Sequence, residues 1–343
     1  MKHENNNERL EYRDHHTQHV RKIKLSWYNS PMLPTTSSRR VIADLSLLTV
    51  SFIWGITFVM VKEAVKTYPV FAFLSSRFIL AFLTMLPIAL LLRQRTAGWG
   101  GDTPIVKQIA AGMIIGLFLF AGFGFQTSGL QHTTPAKAGF ITGLSVVLVP
   151  ILCVIALRER PSLTVWVGVG LATSGLALLS LVGVNWNGGI NPGDVLIFFC
   201  ALSFAGHIFV TSRISHQMNP LVITMTQILT VALLATIASH LFESNTLILP
   251  DRQPLFAAFF TGVLATAIAF GVQTMAQRFT TATHTALIFS TEPVFAALAS
   301  FFLVGERLGP RQLLGGTLIL AGMLTAELGP SLKKERDETH HKH

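Results

Sequence analysis

The sequence predicts an all-α integral membrane protein, ten transmembrane helices arranged as two inverted five-helix repeats. Three observations carry that prediction. Half of the 343 residues are apolar and only 13 % are charged, about half the charge of an ordinary soluble domain, where about 25 % is usual. Ten apolar runs, each long enough to cross a bilayer as a helix, follow one another between short polar loops. The second half of the chain also repeats the first at a spacing of 147 residues.

The charge deficit excludes a water-soluble globule, whose surface would be too apolar to stay dispersed, and mean hydropathy is +0.54. The net charge of +9 would suggest nucleic acid if it lay on one face, but it does not. Nineteen of the 43 charged residues sit in residues 1–40 and 331–343, and five of the nine units of net charge come from these two tails. A nucleic-acid partner is therefore not expected. Residues 1–40 and 329–343 lack hydrophobic periodicity and read as disordered tails, the first basic and cytoplasmic. The first tail has no apolar stretch before about Val41 and so does not read as a signal peptide.

A hydrocarbon core about 30 Å thick takes about 20 apolar residues in helix. The predicted spans are 41–61, 71–92, 108–130, 138–157, 163–183, 193–212, 221–242, 255–276, 285–304 and 312–328. Breakers separate them: Tyr68-Pro69, Gly98 to Pro104, Pro161, Asn187 to Pro192, Asn219-Pro220, Pro250 to Pro254 and Gly309-Pro310. Helices are preferred to a barrel because the runs are continuous rather than alternating. With the N-terminus in the cytoplasm, 19 of the Lys and Arg residues fall inside and 6 outside, Lys137 among the six, while Arg77 lies within a span. Both termini are thus expected in the cytoplasm, and the chain is expected to be a multi-pass protein of the inner (cytoplasmic) membrane.

The repeat aligns Gln126-Thr127 with Gln273-Thr274, Thr133-Thr134 with Thr280-Thr281, and Glu159-Arg160 with Glu306-Arg307. Gly168 and Gly175 likewise fall on Gly315 and Gly322. The copies are residues 41–183 and 193–328. Five spans is an odd number, so the second copy must sit upside down relative to the first. Two mirrored halves that open alternately to either side are the plan of many secondary transporters.

Several stretches resemble the EamA-type branch of the drug/metabolite transporter (DMT) superfamily. They are Phe52-Ile53-Trp54-Gly55-Ile56-Thr57-Phe58, Arg77-Phe78, Leu157-Arg158-Glu159-Arg160-Pro161, Phe289-Ser290-Thr291-Glu292-Pro293-Val294-Phe295, and Gly305-Glu306-Arg307-Leu308 with Gly315 and Ala321-Gly322. The resemblance covers residues 41–328. It implies a ten-helix permease of the cytoplasmic membrane, exporting amino acids or related small metabolites. A carrier of the same fold working in uptake or on a lipid or sugar intermediate is the alternative, followed by an intramembrane enzyme. No Walker A, HExxH or nucleophile motif supports catalysis or ATP drive, so neither catalytic residues nor cofactors are expected.

Ionisable and polar groups at membrane depth are costly and are the site candidates. Glu292, followed by the hinge candidate Pro293, can hold a cation, a proton or a substrate amine; the competing reading is a structural carboxyl. His207 either lines the pathway or is a satisfied packing residue, and with no ligand-type neighbour at helical spacing it predicts no metal site. Arg77 is expected near the outer face, either snorkelling to the interface or holding an anion; Gln227 occupies its place in the second copy. The repeat-related Gln126 and Gln273 either bond between helices or line a polar path. Trp54 and Phe58 share a helix face, and in this family Trp54, Phe58, Phe123 and Phe289 would wall a central cavity. Pro150 is a second hinge candidate. Glu159-Arg160 and Glu306-Arg307 read as interface anchors or helix-end caps, the rival reading being repeat-related ion pairs at two gates. Gly112 and Gly116, and the glycines of the fifth and tenth spans, permit close packing within a half or in a homodimer. Cys153 and Cys200 lie in different spans, and no disulfide is expected. The expected partners are a small-molecule substrate and the lipid bilayer, with proton coupling left open.

Overall fold

The computed structural model describes residues 37–158, 161–181, 192–243, 251–304 and 309–340. Every regular element among them is helical. This is what a chain of long apolar runs must do where water cannot satisfy backbone N–H and C=O groups. The elements are α1 (Ser37–Ala64), α2 (Val70–Thr96), α3 (Ile105–Leu130), α4 (Pro135–Gly143), α5 (Ser145–Leu157), α6 (Leu163–Ser180), α7 (Pro192–Ile214), α8 (Pro220–Phe242), α9 (Arg252–Gly262), α10 (Ala269–Ala276), α11 (Ala282–Phe289), α12 (Glu292–Val304) and α13 (Pro310–His340). One π turn, Val263–Ile268, joins α9 to α10.

Among the described residues, eight helical segments are long and apolar enough to cross a membrane. The segment of α11 and α12 is interrupted at Ser290-Thr291, just ahead of Glu292-Pro293. The fourth segment breaks at the repeat-related Leu144, between α4 and α5; Pro150 lies inside α5, beyond the break. Large apolar side chains face outward over the whole bundle, Leu91 at 80 % exposure and Phe302 at 77 %. Such a surface fits lipid rather than water.

Both ends of the helical region differ from the sequence prediction. Helix α1 starts at Ser37, so the last residues of the expected N-terminal tail are helical. Helix α13 runs to His340, through most of the tail expected to be disordered. The stretch Lys333-Lys334-Glu335-Arg336-Asp337-Glu338 is rich in helix formers, and an existing helix elongates through them without a second nucleation cost. Glu159-Arg160 and Glu306-Arg307 lie outside the described residues.

The repeat is visible in the capping. Thr134 accepts a hydrogen bond from Lys137 N (3.2 Å) at the start of α4, and its counterpart Thr281 accepts from His284 N (3.1 Å) at the start of α11. A polar pair adjoins each cap. Lys137 Nζ lies 3.3 Å from Asp194 Oδ2 on α7, and Thr133 donates to the other carboxylate oxygen. His284 Nε2 lies 3.2 Å from Asp44 Oδ1 on α1. Lys137, assigned from sequence to a solvated loop, is thus a buried residue of the first turn of α4.

Helices α6 and α13 pack closely through glycine. A methyl group on Gly168 would stand 2.6 Å from Gly322 O, and one on Gly175 would stand 2.5 Å from Gly315 O. Ascending residues of one helix meet descending residues of the other, so the two run antiparallel. Exchanging each glycine for its repeat counterpart leaves this contact pattern unchanged. The pair Gly112 and Gly116 packs within the chain too, against Thr226 and Thr230 of α8.

Candidate functional site

A cavity of about 680 Å³ occupies the middle of the bundle. It is lined by Trp54 of α1, Arg77 of α2, Phe123 and Gln126 of α3, Phe204 and His207 of α7, Phe270 and Gln273 of α10, Phe289 of α11, and Glu292 and Pro293 of α12. The lining continues to Leu130, Thr134 and Ser180, near the Lys137–Asp194 pair. Towards the His284–Asp44 pair the helices are tied together below the cavity. Ser51 Oγ meets Thr291 Oγ1 at 3.0 Å, and Gln277 Nε2 donates to Ile208 O at 3.1 Å.

The sequence candidates Glu292, His207, Arg77, Gln126, Gln273, Trp54 and Pro293 thus line one cavity. Pro150 is not among its lining residues. Phe58 lies in α1, and its side chain falls outside the described residues.

Arg77 does not snorkel. Its side chain is 2 % exposed and points into the bundle, where Nε donates to Thr266 Oγ1 at 2.8 Å. The guanidinium lies 4.4 Å from the centroid of Phe123 and 5.6 Å from that of Phe78. Two rings and a hydroxyl inside the bundle compete with the interface for the cation, and a cation over an aromatic face is stabilised more when desolvated.

The partner of Arg77 comes from the π turn, as does that of Trp54. Trp54 Nε1 donates to Ala265 O at 2.8 Å. A π turn spaces backbone bonds at i→i+5 and leaves a carbonyl facing sideways, which is why such turns gather at functional sites. The indole ring packs on Phe270 at 5.3 Å and Phe289 at 4.9 Å. The cavity wall is therefore one connected set of aromatic rings, with Phe123 touching both Phe204 and Phe270.

Glu292 opens α12 at the helix break. A methyl group on Gly55 of α1 would stand 2.7 Å from Glu292 O, so only glycine lets the two backbones approach this closely. Among the described residues neither Glu292 nor Arg77 has an ionic partner. His207 bonds through Nε2 to Gln227 Oε1 at 2.8 Å. Gln273 donates to Gln277 Oε1 at 3.3 Å, and its own Oε1 is buried with no partner among the described residues. The two repeat-related glutamines thus differ, since Gln126 is only half-buried.

Sequence reasoning singled out neither Thr266 nor the π turn, because no residue pattern announces an i→i+5 turn. Gln227 had a signal, its repeat equivalence with Arg77, but not its bond to His207. Among the described residues no group of His, Cys, Asp and Glu is placed to hold a metal.

A lipid-facing helical bundle around a central cavity lined by an Arg and a Glu has the architecture of a membrane carrier. The family is plain from the chain itself: the EamA-like transporter family model matches residues 41–181 and again 191–326, and the protein belongs to that family. A protein of Archaeoglobus fulgidus named an uncharacterized transporter is 35 % identical over 294 residues, 84 % of this chain and 87 % of its own. A "probable amino-acid metabolite efflux pump" of Salmonella typhimurium is 26 % identical over 80 % of this chain and 91 % of its own. The inner membrane transporter YedA of Escherichia coli is 25 % identical over 84 % of this chain and 91 % of its own. A solved crystal structure superposes with a TM-score of 0.69 at 20 % identity, covering 83 % of this chain and 98 % of that one, and shares the fold. The protein is a membrane transporter, and its partners include a small-molecule substrate and the lipid bilayer.

Proposed function

We propose that this transporter exports amino acids or closely related zwitterionic metabolites across the cytoplasmic membrane by alternating access. The observation that carries the reading is the pairing of Arg77 and Glu292 in one cavity, neither with a counter-ion among the described residues. A buried charge without a partner is costly, so a site holding one of each sign is complementary to a molecule that carries both. A substrate carboxylate would meet the Arg77 guanidinium, and a substrate ammonium would meet Glu292. The aromatic walls take up an apolar side chain and favour the cation. The Salmonella relative's name points to the same class of cargo.

The architecture proposed with it is ten transmembrane helices in two inverted repeats, residues 41–183 and 193–328, with both termini cytoplasmic. The two family matches and the exchange-invariant, antiparallel contact of α6 with α13 support this arrangement. In this orientation the Lys137 end is the outer end, and the cavity belongs to an outward-facing conformer. The breaks before Pro293 and at Leu144 are the natural bending points of repeat-related helices, with Pro150 as an additional hinge. Glu292 is the group through which proton exchange would couple to substrate.

Counterflow in proteoliposomes tests the reading. Labelled amino acids should exchange in the wild type, and Arg77→Ala should lose exchange. Glu292→Gln should lose either exchange or its response to a pH gradient. Undiminished, pH-responsive exchange in both variants would remove the two-charge site.

A further inference from the structure

The hydrogen bonds behind His207 leave one consistent assignment of protons. Thr274 Oγ1 donates to Phe270 O at 2.7 Å, so its oxygen is free to accept. It accepts from Gln227 Nε2 at 3.2 Å, which fixes the amide with Oε1 turned to the histidine. Oε1 is only an acceptor, so His207 Nε2, 2.8 Å away, must carry a hydrogen. In the neutral ring Nδ1 is then a bare acceptor on a residue that lines the cavity. The helix neighbour of Thr274, Gln273, brings a second acceptor to the same cavity. It is 1 % exposed and its Oε1 has no partner among the described residues, although a buried polar atom almost always has one.

From these contacts we infer that His207 Nδ1, Gln273 Oε1 and Glu292 form an acceptor subsite for a protonated amine with N–H groups, with Gln227 and Thr274 as positioning residues that set the His207 tautomer. The inference deepens the zwitterion reading above and rests on it for the choice of amino-acid probe. The aromatic wall cannot by itself make the distinction. Its ring faces attract any cation, methylated or not. Acceptors with no other donor discriminate, because a quaternary ammonium leaves each of them unpaired. Sites built to hydrogen-bond a substrate reject the analogue that lacks the group far more strongly than apolar pockets reject a change of size. The subsite also explains why the second repeat carries Gln227 where the first carries Arg77. One residue faces the substrate directly, and its counterpart acts one bond removed, through the imidazole.

Two measurements on full-length protein in lipid test this. The first is ¹⁵N NMR of histidine-labelled protein, with His207→Leu identifying the signal. The wild type should show the Nε2–H tautomer, and Gln227→Leu a mixture of both. Gln227→Glu, which keeps an acceptor at that place, should restore the Nε2–H form. The second is equilibrium binding of labelled L-alanine against its N,N,N-trimethyl derivative. The wild type should prefer the primary ammonium at least about tenfold, an ordinary value for one buried hydrogen bond. His207→Leu, which removes the acceptor, should lower that preference about tenfold, and Gln227→Leu about twofold, because an equal tautomer mixture leaves the competent form half populated, with trimethylalanine affinity nearly unchanged in both. Equal wild-type affinities, or a Gln227→Leu protein that keeps both tautomer and preference, would overturn the subsite. If neither alanine compound binds, the zwitterion reading falls and methylammonium against tetramethylammonium decides the subsite by the same criteria. No preference there overturns it as well.

Discussion

Helices α6 and α13 meet so closely that one added methyl group must move them apart, and Gly175→Ala measures what that contact contributes. The new Cβ would stand 2.5 Å from Gly315 O and 2.8 Å from Ile319 N, both backbone atoms that cannot rotate away. Ordinary contact begins at 3.4 Å, so the helices must separate by roughly 0.9 Å. A gap of that size forfeits between a quarter and a half of each facing van der Waals well, and wells of ~0.1–0.2 kcal/mol over a few dozen atom pairs give a loss of about 2–3 kcal/mol. Better helix propensity of alanine returns about 1 kcal/mol. The expected net loss is therefore about 1–2 kcal/mol. Gly170 on the same helix is the control, since a methyl group there meets nothing within 4 Å. Gly170→Ala should be neutral or slightly stabilising. Denaturation midpoints of the purified proteins in one detergent compare the two directly. Equal midpoints would refute the packing argument, and so would a Gly175→Ala protein more stable than the wild type. The double variant Gly168→Ala/Gly175→Ala should lose less than the sum of the single losses, because one separation of the helices admits both methyl groups.

Other perturbations address the site and the ends of the bundle. Trp54→Phe keeps the ring packing but removes the donor to Ala265 O; a loss of about 1–2 kcal/mol in denaturation midpoint and slower counterflow are expected. Lys137→Met strands the Asp194 carboxylate in a buried position; a loss of about 3–5 kcal/mol is expected, and adding Asp194→Asn should recover much of it. His216 lies between α7 and α8, outside the spans. Burial, with Arg278 and Arg213 nearby, pushes its pKa down from 6.5 to about 4. Above pH 6.5 it is neutral folded or unfolded and has no effect. As pH falls from 6.5 to 4 the unfolded chain binds a proton that the folded chain refuses, so stability drops. The stability profile of His216→Asn should be flatter across that window, and an unchanged slope would show that this imidazole is not responsible.

Much of this was legible from residues alone, because a bilayer imposes few choices. Runs such as Pro192–Ile214 and Pro220–Phe242 declare themselves by length and apolarity, and both helices lie within two residues of their expected ends. The cost of polar groups at depth singled out Glu292 and His207, and the family resemblance singled out Trp54; the three line one cavity. The position of Arg77 was not legible, because sequence distance from the interface cannot reveal that Thr266 and Phe123 wait inside the bundle. The same limit hid the burial of Lys137: its charge read as solvated until Asp194, 57 residues on, was seen beside it. In each case the missing fact was a long-range partner, which periodicity does not encode.

The two polar pairs beside the caps, Lys137 with Asp194 and His284 with Asp44, have a consequence for the energetics of the cycle. A carrier made of two identical inverted halves would have outward-facing and inward-facing states related by a two-fold axis in the membrane plane and equal in free energy. An unbiased membrane would then hold them in equal numbers. Here one end carries the Lys137–Asp194 pair and the other the His284–Asp44 pair, which differ in chemistry. In the two-repeat arrangement proposed above, this difference between the ends would lift the degeneracy. In that arrangement the resting preference for one side would be set by a few substitutions between the copies, among them His for Lys and Gln for Arg.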